Sequence, residues 1–199
     1  MKFWSVGAAA CLAITQVLAF QFPTENRALL DPQGGERFLV GTAGKPWTSG
    51  QFGCVRTEGR QLHEGLDIRC LQRDKRGEPT DVVRASAGGT VAYVNVRPGL
   101  SNYGNYVVLR HELEGLEVYS LYAHLSAVAP GIKPGVQVRA GQGIATLGRT
   151  SNTRQRITQD RAHVHFEIDV RISDTFSAWH AEHRKGQRND HGEFNGHNM

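Results

Sequence analysis

From Gly88 to Val170 the apolar positions come in short runs separated by glycine-bearing turns at roughly ten-residue intervals. The runs at 90–96, 106–110, 116–122, 143–147 and 163–170 are rich in Val, Tyr, Ile and Leu, which suit a pleated, half-buried surface. No stretch after residue 19 sustains apolar positions at helical spacing. The pattern predicts a mainly β fold: an antiparallel β sandwich or open, barrel-like sheet with long loops. One domain is expected over 46–175, entered by an arm over 20–45 with one or two strands. Beyond Ser173 the chain turns polar, and 176–199 is expected to be a flexible tail.

The N-terminus follows a different rule. Lys2 precedes an uncharged, mostly apolar stretch, and Val17-Leu18-Ala19 supplies small residues at the spacing a signal peptidase needs. Residues 1–19 are read as a cleaved secretory signal, which predicts an exported protein, periplasmic or extracellular. A retained anchor is the competing reading, because the stretch is near the lower limit of a membrane span. The small residues and the polar chain that follows favour cleavage, with no stable membrane insertion afterwards. Cys11 sits inside the apolar stretch rather than at its end, which argues against lipidation. Export leaves Cys54 and Cys70, and an oxidising compartment predicts a Cys54–Cys70 disulfide around the segment carrying His63 and Asp67. Two free thiols, or thiolate ligands to a metal, are the alternatives.

A hydrophobic fraction of 39% with 21% charged residues argues against a chain disordered throughout. The net charge of +4 suits an anionic partner such as a wall polymer, and serves solubility equally well. There is no dense basic stripe interleaved with aromatic residues, so nucleic acid is not expected as a partner. A monomer is expected.

Three motifs carry chemistry: His63-Glu64-Gly65-Leu66-Asp67, Tyr122-Ala123-His124-Leu125 and His163-Val164-His165. In a strand, residues two or four apart share a face, so His63 can look the same way as Asp67, and His163 the same way as His165. On neighbouring strands these four side chains converge. Two neutral imidazoles and a carboxylate make a three-ligand zinc site with an open fourth position, the arrangement of catalytic zinc. A helical zinc-protease motif is excluded, because Asp67 stands where it needs a second histidine and Gly65 is a poor helix residue. Glu64 is expected on the opposite strand face from the ligands, and so not as the general base. Spacing alone does not distinguish His163 from His165 as ligand.

The three motifs, in this order, resemble the lysostaphin and LytM type of zinc metalloendopeptidase, a peptidoglycan endopeptidase family of the duplicated hybrid motif fold. The linking segments Gly104-Asn105-Tyr106-Val107-Val108, Val138-Arg139-Ala140-Gly141-Gln142 and His165-Phe166-Glu167-Ile168 resemble that family as well, so the likeness runs over roughly residues 60–170. It implies zinc held by His63, Asp67 and His165, with His124 and His163 as a non-ligand catalytic pair. It implies a substrate among the peptides of bacterial peptidoglycan. The family also contains regulators of other wall hydrolases that have lost zinc ligands; here every such position is filled. A zinc-bearing wall-binding or hydrolase-activating module is the alternative, and a general protease of secreted proteins a third reading. Residues 151–162 depart from the family, being longer and more charged than its usual glycine-rich link, and are expected to reshape the groove.

Other positions read more plainly. His111 is expected on the loop after a strand, and His180, His183, His191 and His197 as solvated tail residues. Tyr103, Tyr106, Asn105 and Arg161 are candidate groove residues.

Overall fold

A computed structural model describes residues 20–199; the segment read as a signal, 1–19, lies outside the described residues. The arm holds a 3-10 turn (Ala28–Leu30) and a short helix, α1 (Gly35–Phe38); one bridge pairs Leu39 with Ile68, and further hydrogen bonds run from the Val40 N–H to the Asp67 carbonyl at 2.9 Å and from the Arg84 N–H to the Pro23 carbonyl at 2.8 Å. The strands expected in the arm are thus replaced by turns, with Phe22 and Phe38 packed edge to face. The strands that follow are β1 (Val55–Arg56), β2 (Gln61–Leu62), β3 (Leu66–Arg69), β4 (Val82–Arg84), β5 (Gly89–Asn95), β6 (Asn105–Leu113), β7 (Leu116–Leu125), β8 (Ala127–Val128), β9 (Gln137–Val138), β10 (Gly143–Thr146) and β11 (His163–Asp169).

Every pairing is antiparallel. A six-stranded sheet has the order β3-β11-β7-β6-β5-β9; β4-β10-β8 form a smaller sheet, and β1-β2 a hairpin. The long β6–β7 ribbon closes through Glu114 and Gly115, both at positive φ, the twist-matched geometry of a tight hairpin.

Strand alternation divides the six-stranded sheet into two faces. On one, Val107, Leu109, Tyr122, Val164, Phe166 and Ile68 pack against Val83, Ile144 and Leu147 from the smaller sheet and its flank, forming the main core. On the other, Tyr106, Val108, Tyr119, Leu121 and Ala123 form a second cluster. The polar segment after Ser173 covers that cluster. It carries α2 (Phe176–His183), then returns so that Phe194 stacks on Tyr93 and its carbonyl accepts a 3.2 Å hydrogen bond from Tyr106. His191 is buried there, with Nδ1 3.0 Å from the Tyr93 hydroxyl and Nε2 3.2 Å from the Leu100 carbonyl, and His180 is buried on α2. Neither is the solvated residue the sequence suggested. The reason is aromatic packing, which needs no hydrophobic period along the chain.

Two further expectations are corrected. Cys54 and Cys70 are free thiols, not a disulfide. Cys70 follows Ile68 onto the core face, whereas Cys54 lies at the start of the hairpin beside Asp67 on the opposite face, so the sheet separates them. His111 is in β6 rather than a loop, and is buried. Its Nδ1–H donates to the Gly88 carbonyl at 2.8 Å, and its Nε2 lies 2.7 Å from Ser120 Oγ, which lies 2.9 Å from the Tyr122 hydroxyl.

Candidate metal centre and its cleft

The second sheet face stays polar at its β3–β11–β7 end, where His163, His165 and Glu167 alternate with the core residues Val164 and Phe166. Antiparallel register sets His165 opposite Asp67 on β3 and Ala123 on β7. His63 is not on a strand: it lies in the link between β2 and β3, its backbone N–H bonded to the Cys54 carbonyl at 2.9 Å. Gly65 permits this, because a Cβ there would stand 2.3 Å from the Phe166 carbonyl oxygen.

Three atoms meet at one point. His63 Nε2 lies 3.1 Å from Asp67 Oδ1 and 3.0 Å from His165 Nδ1, and His165 Nδ1 lies 2.8 Å from Asp67 Oδ1. The far nitrogen of each ring is engaged by an obligate acceptor. His63 Nδ1–H donates to the Gln51 carbonyl at 2.8 Å, and His165 Nε2–H donates to Glu167 Oε1 at 2.5 Å. Each ring therefore turns a lone pair toward a carboxylate oxygen that is also an acceptor. Positive charge belongs at that point. Burial opposes a charged His165, yet hydrogen bonds to Asp67 and Glu167 outweigh it and push the imidazole up to about 10. Burial likewise opposes ionised Asp67, while the electrostatic pull of His163 and the close imidazoles of His165 and His63 hold it well below the usual carboxylate range.

A metal cation can supply this charge in place of a proton. Tetrahedral zinc with bonds of about 2.0–2.2 Å needs donor atoms about 3.3–3.6 Å apart, a few tenths of an ångström wider than they stand. These residues are the one His/Cys/Asp/Glu group suited to a metal among the described residues, and no fourth such side chain joins them. The donor set fits zinc with an open position.

His163 and His124 stand beside this centre without joining it. His163 Nδ1–H donates to the Arg161 carbonyl at 2.6 Å, and its Nε2 is 3.4 Å from Asp67 Oδ1. His124 Nδ1–H donates to the Thr150 carbonyl at 2.8 Å, and its ring centroid is 4.8 Å from that of His163. A bulge delivers His124: Ala123 and His124 on β7 oppose Tyr106 alone on β6, and His124 takes φ +61°, uncommon for any residue but glycine. Gly104 admits the Thr150 carbonyl, since a Cβ there would approach it to 2.3 Å. Burial, then the neighbouring imidazoles His163 and His165, hold His124 well below the usual histidine range; burial lowers His163 as well, against the pull of Asp67. Burial thus tilts both rings toward the neutral form, in which Nδ1 keeps its proton on a carbonyl and Nε2 is the free acceptor.

Behind the centre, Tyr103 donates to Glu167 Oε1 at 2.8 Å, and burial with the Glu167 charge pushes Asp169 up to about 8. The hairpin contributes Arg56, whose Nη2 donates to Asp67 Oδ2 at 2.7 Å and to the Ser49 carbonyl at 2.8 Å.

His63, Asp67 and His165 converge, with His124 and His163 alongside. Asp67, His124, His163 and His165 line an open cleft of about 910 Å³, as do Tyr103 and Arg161. Tyr106 does not, being buried in the aromatic cluster, and Asn105 instead ties the end of β7 through its amide to the Leu125 carbonyl. Ser151, Thr153, Gln155 and Ile157 line the cleft, so the divergent loop borders it. Glu64 also lines it, contrary to the strand-face expectation, because residues 63–65 do not alternate as a strand. Sequence reasoning missed Arg56 and the role of Glu167. The latter was detectable two residues beyond His165 on the same face; Arg56, on a two-residue exposed strand, gave no signal.

Residues 61–176 match the pattern of Peptidase family M23. A "Lipoprotein NlpD/LppB homolog" of Pseudomonas aeruginosa is 36% identical over 108 residues, 54% of this chain and 29% of that protein. The "Murein hydrolase activator NlpD" of Escherichia coli is 33% identical over 106 residues, 53% of this chain and 22% of that protein. This chain thus spans less than a third of the length of either relative. Among solved structures, a zinc-containing peptidase from Vibrio cholerae is 28% identical, covering 67% of this chain and 36% of that one, with a TM-score of 0.44. The catalytic domain of lysostaphin from Staphylococcus simulans is 23% identical, covering 70% and 86%, with a TM-score of 0.46.

Proposed function

The chain belongs to peptidase family M23, and from that premise we propose that it is an exported, zinc-dependent endopeptidase that hydrolyses peptide bonds in bacterial peptidoglycan. The observation that carries this reading is the convergence of His63 Nε2, Asp67 Oδ1 and His165 Nδ1 within 3.1 Å of one another, at a cleft lined by two further neutral histidines. In this reading His63, Asp67 and His165 hold the metal. Bound zinc supplies Lewis acidity toward the scissile carbonyl and lowers the pKa of the attacking water.

The chain's own residues do the rest. Glu167 and the Gln51 carbonyl fix which nitrogen each ligand histidine presents. His124 and His163, their Nδ1 protons committed to carbonyls, each present Nε2 to the cleft. One accepts a proton from the attacking water; the imidazolium so formed becomes a donor for the developing oxyanion or the leaving amine. The tilt of both rings toward neutrality by burial suits them to the acceptor role.

A second reading is an activator of other wall hydrolases, favoured by the likeness to the Escherichia coli murein hydrolase activator. The readings separate on purified peptidoglycan. An endopeptidase with zinc releases soluble muropeptides by itself, and His124→Ala or His163→Ala variants bind zinc but release none. An activator releases nothing alone and increases release by an added wall hydrolase.

A further inference from the structure

The divergent loop carries a feature that the hydrolytic site does not use. Arg161 ends a 3-10 turn (Gln159–Arg161) immediately before β11, and its carbonyl is the acceptor for His163 Nδ1. Its Nε donates to the Gly41 carbonyl at 2.9 Å. Its two terminal nitrogens make no hydrogen bond or ion pair with any of the described residues, and the side chain lines the cleft. Of the carboxylates whose charge reaches it, Asp67 is engaged by Arg56 and the histidines, and Asp160 is exposed and makes no ion pair with it. Burial moves the half-buried guanidinium below its usual range, only partly offset by Asp67 and Asp160. This is a partly desolvated cation without an ion pair, its terminal nitrogens open to the cleft rather than enclosed, so a ligand entering the cleft can reach them.

The loop holds that cation in place. Glu78 accepts from Arg149 at 2.8 and 2.7 Å and from Gln159 Nε2 at 2.7 Å, Arg73 donates to the Gln159 carbonyl at 2.6 Å, and Ile157 is buried. Lys45 lines the same cleft as an exposed second positive charge. A planar fork with its terminal N–H groups unused and its stem anchored matches a carboxylate.

We propose that Arg161 anchors a carboxylate-binding subsite beside the metal centre, so that the preferred substrate is a peptide with an acidic side chain or free carboxylate next to the bond that is cut. The proposal rests on reading the cleft as a peptide site, and its test does not depend on wall cleavage. The probes are two fluorescent, acetylated and amidated peptides, Ala-Ala-Glu-Ala-Ala and Ala-Ala-Gln-Ala-Ala, titrated against zinc-loaded protein carrying His124→Ala. The Glu peptide is expected to bind about 10- to 100-fold tighter. Adding Arg161→Gln brings the two affinities together, Arg161→Lys keeps part of the difference, and Lys45→Gln keeps most of it. Equal affinities before any change at Arg161, or a preference that survives Arg161→Gln, would overturn the subsite. If Arg161→Gln fails to fold, Arg161→Lys decides, since the preference must shrink there, and an undiminished preference overturns the subsite. A preference for the Glu peptide that depends on Arg161, alongside absent wall hydrolysis by zinc-loaded protein with His124 intact, would defeat the proposed function and leave the subsite standing.

Discussion

Replacing Glu167 by Gln removes one negative charge while preserving shape, at a position whose contacts are fully specified. Glu167 Oε1 accepts from His165 Nε2 at 2.5 Å and from the Tyr103 hydroxyl at 2.8 Å, and the residue is buried. The charge strengthens His165 as a donor of its Nδ1 lone pair to a metal and holds the ring in one orientation. A neutral amide retains the acceptor oxygen but not the charge, so zinc affinity is expected to fall about 10- to 100-fold, or about 1 to 3 kcal/mol. The zinc-free fold should lose little, because Glu167→Gln also relieves the repulsion that, with burial, pushes Asp169 up to about 8. The assay is competition for zinc against a chromophoric chelator, with thermal unfolding of the zinc-free forms as control. An unchanged zinc affinity, or a loss matched by an equal loss of zinc-free stability, would refute the argument that Glu167 acts through His165.

Other outcomes follow from particular contacts. His111→Phe keeps a planar aromatic ring, somewhat larger, but strands the Gly88 carbonyl and leaves the Ser120 hydroxyl with Tyr122 alone, and should cost about 1–3 kcal/mol in urea unfolding at pH 7.5. Burial lowers His111 in the folded protein, so the unfolded chain binds its proton more readily. Its contribution is therefore full above pH about 6.5 and lost as pH falls below that value, so the gap to wild type should narrow at pH 5 and a constant gap would contradict this. In protein lacking residues 1–19, Cys54 should react with a thiol reagent in the native state and buried Cys70 only after unfolding; no reactive thiol in denaturant would contradict the free cysteines. His63→Ala should abolish stoichiometric zinc binding, whereas His124→Ala should retain it and lower turnover about 10²- to 10⁴-fold; equal zinc loss in both would contradict their separate roles.

The β character of the chain was legible because its longest strands obey simple rules. β6, β7 and β11 are apolar enough to betray themselves, and the expected segments 106–110, 116–122 and 163–170 fall on them. Short strands such as β4 and β9 are fixed by pairing partners distant in sequence, which no local pattern encodes. His63 reached the predicted cluster by a route other than the one reasoned, a loop pinned by Gln51 and Cys54 rather than a strand face. The disulfide expectation failed because compartment chemistry takes no account of sheet faces. The covering segment after Ser173 was illegible because Phe194 and His191 are single aromatic anchors in polar surroundings.

The most direct test of a metal-dependent peptide hydrolysis is mass spectrometry of muropeptides released from purified peptidoglycan in water enriched in oxygen-18. The account predicts fragments with intact sugar chains and one heavy oxygen in a new peptide carboxylate, lost on chelation and restored by zinc. Fragments cut within the glycan, or no fragments from fully zinc-loaded protein, would contradict it.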